Sequence, residues 1–406
     1  MDLQTGKFYW PETIKNKPAF PVLKEDIECD VLIIGGGSSG SQCVFYLMDK
    51  GLDVVVVEAN HVSSGSTATN TALIQYLGEK FYHELVHTFG EERATRHVKL
   101  CEQAITDLET ASKTIPRDAQ FVRRDSLYFA SDEEGAIKLE KEYELLVKHG
   151  FNVEMWDEIN IESHYHFKKQ KALYLSDDAE LNPVALTYGL FEMAREKGVR
   201  IFEQTLINGK KYENGIWTSY TANGNTIKAK HLIIAAGYET LEFKKHKNLA
   251  IESTYAVVTN VIDDLSSWHN RTLIWETARP YIYLRTTPDQ RVIIGGLDET
   301  TDIAEERDSK LHSKKERLIV EFNKLFPHIQ ARAEYFIGAA YGGTTDGLPM
   351  IGCYDDMPNC YHIYAYGDNG TVYNMVLGKV VGEMIVTGHS PNFDLYVQTR
   401  STINGY

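Results

Sequence analysis

Gly35, Gly37 and Gly40, with Glu58 eighteen residues beyond the last of them, are the residues of this chain whose types and spacing point most directly to chemistry. They stand in the run DVLIIGGGSSGSQCVFYLMDKGLDVVVVE, residues 30–58. An apolar stretch, 31–34, breaks into the glycine turn, and a helical stretch follows to about Lys50. Gly51 stops it, and a second apolar strand, 54–57, closes on Glu58. Each glycine has its own reason in such a unit. Gly35 permits the tight turn, Gly37 lets the backbone approach a pyrophosphate, and Gly40 lets the helix pack on the strand. The helix start at Ser38 and Ser39 turns unpaired N–H groups toward phosphate. Glu58 can accept both ribose hydroxyls, which argues against a 2′-phosphate. The unit is expected to bind an adenine dinucleotide.

Five further stretches carry candidate chemistry. Ala59–Ala72 (ANHVSSGSTATNTA) is rich in small and hydroxyl residues. It can place donors beside phosphates and a ring system, or form a surface loop. KHLIIAAG, 230–237, reads as a buried strand ending in small residues, so that backbone again comes close to a ligand. YGGTTDGLPMIG, 341–352, is a glycine-rich bend into a strand. Gly367, Asp368, Asn369 and Gly370 precede a helix from Thr371 to about Val386, a positive pole for developing negative charge. In that helix Gly378 and Gly382 make a flat spot for close packing. Finally, strand alternation sets Tyr281, Tyr283 and Arg285 on one face. That face could hold a carboxylate bidentately, or be the wet side of a hairpin.

Some patterns point elsewhere. His83, Glu84 and His87 spell H-E-x-x-H, the helix of zinc proteases. Arg93 stands where a third histidine would be, so hydrogen-bonded or solvated histidines are the expected reading, with no metal. His164 and His166 lack carboxylate or thiolate partners at useful spacing.

The elements around these residues read as a large α/β protein. At 406 residues the chain exceeds one ordinary domain. Helical periodicity marks 93–112, 133–148, 183–197 and 314–326, and strands are expected at 126–130, 199–202, 251–261 and 291–294. Met1–Glu28 reads as an irregular lead in which Tyr9 and Trp10 could lie over the main domain. The net charge of −15 disfavours nucleic acid and anionic membrane. No apolar run approaches a membrane span, and no secretion signal is visible. Five cysteines without C-x-x-C spacing suit a reduced cytoplasm.

With these pieces in order, the chain resembles the D-amino-acid-oxidase-like family of FAD-dependent oxidoreductases, which includes glycine oxidase and monomeric sarcosine oxidase. The resemblance rests on the first βαβ unit, 65–72, 232–237, 345–352, and 367–370 with its helix. It implies an α/β, Rossmann-like FAD-binding domain and an α+β, antiparallel-sheet substrate domain. The first would comprise 1–85, 160–245 and 336–406, the second 86–159 and 246–335. FAD would be held without a covalent bond, with Glu58 and Ala59 at the adenosine. Gly65, Ser66, Thr67, Asn70, Thr71 and Ala72 would pass the pyrophosphate and flavin. Ala235, Ala236 and Gly237 would flank the cofactor, Gly347 would lie on the late bend, and Asn369–Thr371 would face the flavin pyrimidine edge.

The chain departs from the family in three places. Ala339 stands where sarcosine oxidases carry the flavin-linking cysteine. Ala340-Tyr341-Gly342-Gly343 replaces a Gly-x-Arg-Pro that supplies a carboxylate-binding arginine, and no oxygen-activating lysine is apparent. The expected activity is oxidation of the C–N bond of a small amine or amino acid by hydride transfer to flavin N5, with the acceptor open, oxygen among the candidates. The alternatives are a hydroxy-acid dehydrogenase feeding a quinone or protein, and a non-catalytic flavin-binding protein. Tyr281, Tyr283 and Arg285 are the expected substrate contacts.

Overall fold

The computed structural model describes residues 2–78 and 80–403, which build two sheets. The first has a parallel core. Ile27–Ile34 lies between Val54–Val57 and Thr226–Ile234, and Arg200–Phe202 and Cys360–Tyr364 extend the parallel set at its two sides. Met350–Gly352 pairs antiparallel with Cys360–Tyr364, and a hairpin, Ile207–Glu213 with Ile216–Thr221, joins Thr226–Ile234. The central residues Val31–Ile34 and Val54–Val57 are all buried. That is the condition of parallel strands covered on both faces, and it is why they read as unbroken apolar runs.

Helix Ser38–Leu47 packs between helices Pro183–Glu196 and Gly370–Thr387. The expected flat spot is where the last of these meets it. A Cβ on Gly378 would come within 3.1 Å of the Gln42 carbonyl, and one on Gly382 within 3.1 Å of Tyr46 Cβ. Asn182 caps Pro183–Glu196 through Ala185 N.

The second sheet has ten strands, mostly antiparallel, with Leu273–Glu276 running parallel to Val122–Phe129. Its alternating side chains divide two environments. Tyr255, Val257, Leu284 and Ile294 pack on Leu318 and Phe322 of helix Ala304–Leu325. The opposite face is turned toward the first sheet. The helix starts ten residues before the apolar periodicity announces it, because its first turns, AEERDSKLHS, are mostly charged and carry no stripe.

Three placements differ from the sequence reading. Gln4–Lys7 adds an edge strand to Ala333–Thr344, so the lead is not irregular, and Tyr9 and Trp10 are both buried. Lys171–Glu180, drawn within a dinucleotide-binding segment, pairs in the second sheet, as does all of Ala333–Thr344. Helix Glu91–Thr114, drawn in a substrate segment, packs on Gly370–Thr387. Pairing between strands far apart in sequence decides these memberships, and local periodicity does not report it. Among the described residues no helix is long and apolar enough to cross a membrane.

The late bend is tied down by a buried ion pair. Arg400 donates from Nη2 to Asp346 Oδ1 at 2.6 Å and from Nε to Oδ2 at 2.8 Å. Burial alone would raise the Asp346 carboxyl, but the Arg400 contacts outweigh it and hold the group below the usual carboxylate range. The pair therefore contributes stability above the ordinary carboxylate pKa and loses it as pH falls through the lowered value. Arg400→Met leaves a buried carboxylate without its counter-ion and should cost about 3–5 kcal/mol at pH 7. Protonation of Asp346 should narrow that deficit at pH 4, as measured by urea unfolding at both pH values.

Candidate active site

The glycine turn sits at the carboxyl edge of the parallel core, where the two halves of the sheet diverge from Ile27–Ile34. Open α/β sheets bind ligands at such a crevice. Gly35 has φ +124°, and a Cβ there would run into the Ala235 carbonyl. A Cβ on Gly40 would run into the Gly35 carbonyl, so the helix rests directly on the turn. Gly37 is the residue before helix Ser38–Leu47 and has no side chain with which to cap that end. Its Cβ would meet only Thr67 Oγ1, at 3.1 Å. An uncapped ten-residue helix over an open backbone turn fits a phosphate group.

Glu58 ends the neighbouring strand. Its carboxylate accepts from Gly36 N at 2.7 Å and Asn60 N at 2.8 Å. Burial raises its pKa; those two N–H groups oppose the shift, and Glu239 and Glu203 add to it. Ala59 follows, exposed. On the other side Gly237, at φ +58°, brings the Ala235–Gly237 turn beside Ser66, whose Oγ would lie 3.4 Å from a Gly237 Cβ. Gly65 is exposed, and Ser66–Thr69 forms a short 3-10 turn with Thr67 buried. Thr67 Oγ1 accepts from Ser38 N at 3.0 Å, which joins this loop to the helix start.

The stretch after that turn is fixed from four directions. Trp10 Nε1 donates to Asn70 O at 2.7 Å, and Asn70 Oδ1 accepts from Ala72 N at 2.7 Å. Asn70 Nδ2 donates to Thr371 Oγ1 at 3.3 Å, which links the loop to the second helix start. Ala72 has φ +54°, uncommon for a residue with a Cβ. Its carbonyl is held by Arg285 Nη1 at 2.6 Å, and the same nitrogen donates to Leu181 O at 3.1 Å.

That geometry corrects the reading of Arg285. The residue is 1 % exposed and turned beneath the loop, with its guanidinium near the Trp10 ring. Burial lowers its pKa, and the buried Glu180, itself paired with Arg124, opposes that shift. Strand alternation correctly put Arg285 on the face of Tyr281 and Tyr283, but it lies where the sheet meets the loop rather than in the opening.

Helix Gly370–Thr387 supplies a second pole. Its preceding residue, Asn369, does not cap it; the Asn369 amide donates to Leu77 O at 2.6 Å instead. Asn374 holds the two helix starts together, accepting from Ser39 Oγ at 2.6 Å and donating to Ser38 Oγ at 3.3 Å. Between this pole and the second sheet lies a cleft open to solvent. Ser66, Asn70, Thr71 and Gly367–Gly370 form its floor, and Thr254, Trp275, Tyr281, Tyr283 and Ala339 its roof. Tyr283 lies flat because its partner in the pairing is Gly295, where a Cβ would strike the Tyr283 ring. Gly347 lies apart from this cleft, beside Lys80 on an outer opening that shares Tyr341, Gly367 and Asp368 with it.

Sequence reasoning missed Gln75, Tyr238, Trp275 and Asp298 in the lining. Trp275 faces Tyr283 and Tyr128 across two strand pairs; a signal existed only in register, which the sequence does not print. The H-E-x-x-H pattern serves helix packing. Glu142 accepts from Tyr82 N and His83 N and pairs with the His83 ring, while Glu84 accepts from Phe81 N. His164 Nδ1 donates to Asn160 O, and His166 ends its helix at φ 62°. Among the described residues no group of three His, Cys, Asp or Glu could hold a metal ion.

The chain is similar along most of its length to known proteins. It is 24% identical to gamma-glutamylputrescine oxidoreductase of Escherichia coli, over 98% of this chain and 92% of that one. It is 29% identical to a putative Rieske 2Fe-2S iron–sulfur protein of Bacillus subtilis, over 57% of this chain and only 44% of that longer protein. The fold matches that of glycine oxidase from Geobacillus kaustophilus with TM-score 0.75 at 18% identity, covering 90% of this chain and 96% of that one. L-proline dehydrogenase from P. horikoshii gives TM-score 0.74 at 19% identity, covering 92% and 98%. Residues 30–384 match the sequence model of the FAD-dependent oxidoreductases, and that span holds both helix starts and every residue lining the cleft. The chain belongs to that family, and its cofactor is FAD.

Proposed function

We propose that the protein oxidises the C–N bond of a small amine or amino acid. The observation that carries this reading is the cleft itself. A pole suited to negative charge and a largely aromatic roof face one another across an open cleft. Relatives named for glycine, proline and gamma-glutamylputrescine support the substrate class.

Bound FAD supplies a two-electron acceptor for the hydride on the carbon beside the nitrogen. The chain's own residues position and shield. Glu58 holds the adenosine ribose, and the start of Ser38–Leu47 holds the pyrophosphate. The N–H groups opening Gly370–Thr387 would stabilise negative charge on a cofactor held there, without reorganising. Tyr281 and Tyr283 hold the substrate against the ring and exclude water, while Arg285 and Trp10 keep the Asn70–Ala72 backbone rigid beneath it. No side chain is needed as a base when the amine is neutral. Ala339, in the roof, offers no thiol, which supports FAD held without a covalent bond there. All five cysteines are free thiols, in keeping with a reducing cytoplasm.

The purified protein should be yellow, and acid precipitation should leave its flavin in the supernatant. Anaerobic addition of amines and amino acids should bleach the visible absorbance with at least one of them; no bleaching across the panel would remove the reading. Peroxide formed in air would identify oxygen as the acceptor. Glu58→Ala removes charged hydrogen bonds worth about 1.5–3 kcal/mol, so FAD affinity should fall roughly 10- to 150-fold in flavin titrations. Because the Glu58 carboxyl titrates above its ordinary value, wild-type FAD affinity should weaken with acidification before an ordinary glutamate would protonate.

A further inference from the structure

Two buried donors in the lining of the cleft are left without acceptors. Trp275 is 2 % exposed and Gln75 7 %. Neither Trp275 Nε1 nor Gln75 Nε2 has a hydrogen-bond partner among the described residues. Buried donors are nearly always paired, and one left unpaired costs stability.

The surrounding chain sets both side chains in place. The Trp275 indole stacks on Tyr128 with 3.6 Å between ring centroids and 4° between planes. Its backbone pairs with Tyr283 on one side and Tyr128 on the other. Gln75 follows Ile74, which pairs with Ala179 in the second sheet. Tyr76 N then donates to the buried Asp178 at 3.1 Å, and Leu77 O accepts from the Asn369 amide at 2.6 Å. Residues 74–77 therefore run from the second sheet to the start of Gly370–Thr387, and Gln75 lies on the segment that joins them.

The cleft thus offers donors of two kinds, the backbone N–H groups of a helix start and two neutral side chains. Such a lining calls for an occupant rich in acceptors. The isoalloxazine ring of FAD is one, since its oxidised form carries two carbonyl oxygens and two unprotonated central-ring nitrogens against a single N–H. It is also resident, so the donors stay paired between turnovers, whereas a substrate leaves. Reduction makes the ring richer in electrons, and a hydrogen bond to a charged acceptor is roughly twice as strong as one to a neutral acceptor.

We infer that Trp275 and Gln75 contact the FAD ring, that their N–H groups donate to its acceptor atoms, and that they hold its reduced form more tightly than its oxidised form. The inference needs the cofactor alone and goes beyond the amine-oxidation reading, which can fail without it.

The test uses the FAD-loaded protein with no amine present. Trp275→Phe keeps an aromatic ring on Tyr128 and removes the donor. Gln75→Leu removes the other at similar volume, and Gln75→Glu exchanges it for an acceptor. Redox titration against dyes should show Trp275→Phe and Gln75→Leu each lowering the preference for reduced over oxidised FAD about tenfold, a fall of about 30 mV in the two-electron midpoint. Gln75→Glu should lower it further than Gln75→Leu. Infrared difference spectra on dithionite reduction should show a flavin carbonyl stretch at higher frequency in each variant that has lost a donor. A variant purified without FAD is titrated with oxidised and with reduced FAD in turn, and the ratio of the two affinities gives the same quantity. A preference within twofold of wild type in Trp275→Phe and both Gln75 variants, with unmoved carbonyl stretches, would place the donors off the cofactor and overturn the inference. A raised preference for reduced FAD would overturn it as well.

Discussion

Three backbones meet at the carboxyl edge of the parallel core with no space for a side chain between them. The Gly35 turn lies against the Ala235 carbonyl, and Gly40 of the following helix lies against the Gly35 carbonyl. A methyl group at either glycine would push the helix off the strand or the strands apart. The contact fixes where helix Ser38–Leu47 begins, and so where its unpaired N–H groups point. It also sets the Ala235–Gly237 turn beside Ser66, which closes the small-residue loop over the same edge. Everything that handles the cofactor is placed relative to this knot.

The second helix pole inherits its position from the first. Gly378 and Gly382 let Gly370–Thr387 approach Ser38–Leu47 backbone to backbone, and Asn374 bridges the two starts through Ser38 and Ser39. One pole stands at the glycine turn and the other faces the cleft. Neither is capped by the residue at its N-cap position, although such a cap would stabilise each helix by about 1 kcal/mol. Asn369 stands at the capping position and directs its amide to Leu77 O instead. The molecule gives up local helix stability where charge has to be met by backbone.

The roof follows from the two-residue period of the second sheet. Residues facing one way bury against Leu318 and Phe322; residues facing the other way line the cleft. Arg285 shares the cleft-facing side and yet serves structure, because at its position the loop Asn70–Ala72 covers the sheet. A guanidinium buried there is tolerable because two carbonyls accept from it and Glu180 offsets its charge. The positive φ of Ala72 is held by the same bond network.

The sequence by itself determined the dinucleotide unit, because each of its constraints is local. A strand run, a turn that excludes Cβ atoms, a helix start and an acid at the next strand end lie within 30–58 and depend on little beyond it. Small-residue turns at 235–237 and 367–370 were legible for the same reason, as was the tight helix contact at Gly378 and Gly382. Only the tertiary structure decided the membership of Lys171–Glu180 and Ala333–Thr344 in the second sheet, the burial of Arg285, and the entry of Trp275, Gln75 and Asp298 into the cleft. Alternation assigns a residue to a face, but what covers that face is set by strands and loops as far away as Ala72 is from Arg285. Such pairings are chosen by the whole chain's burial and hydrogen bonding, and no window of local sequence contains them.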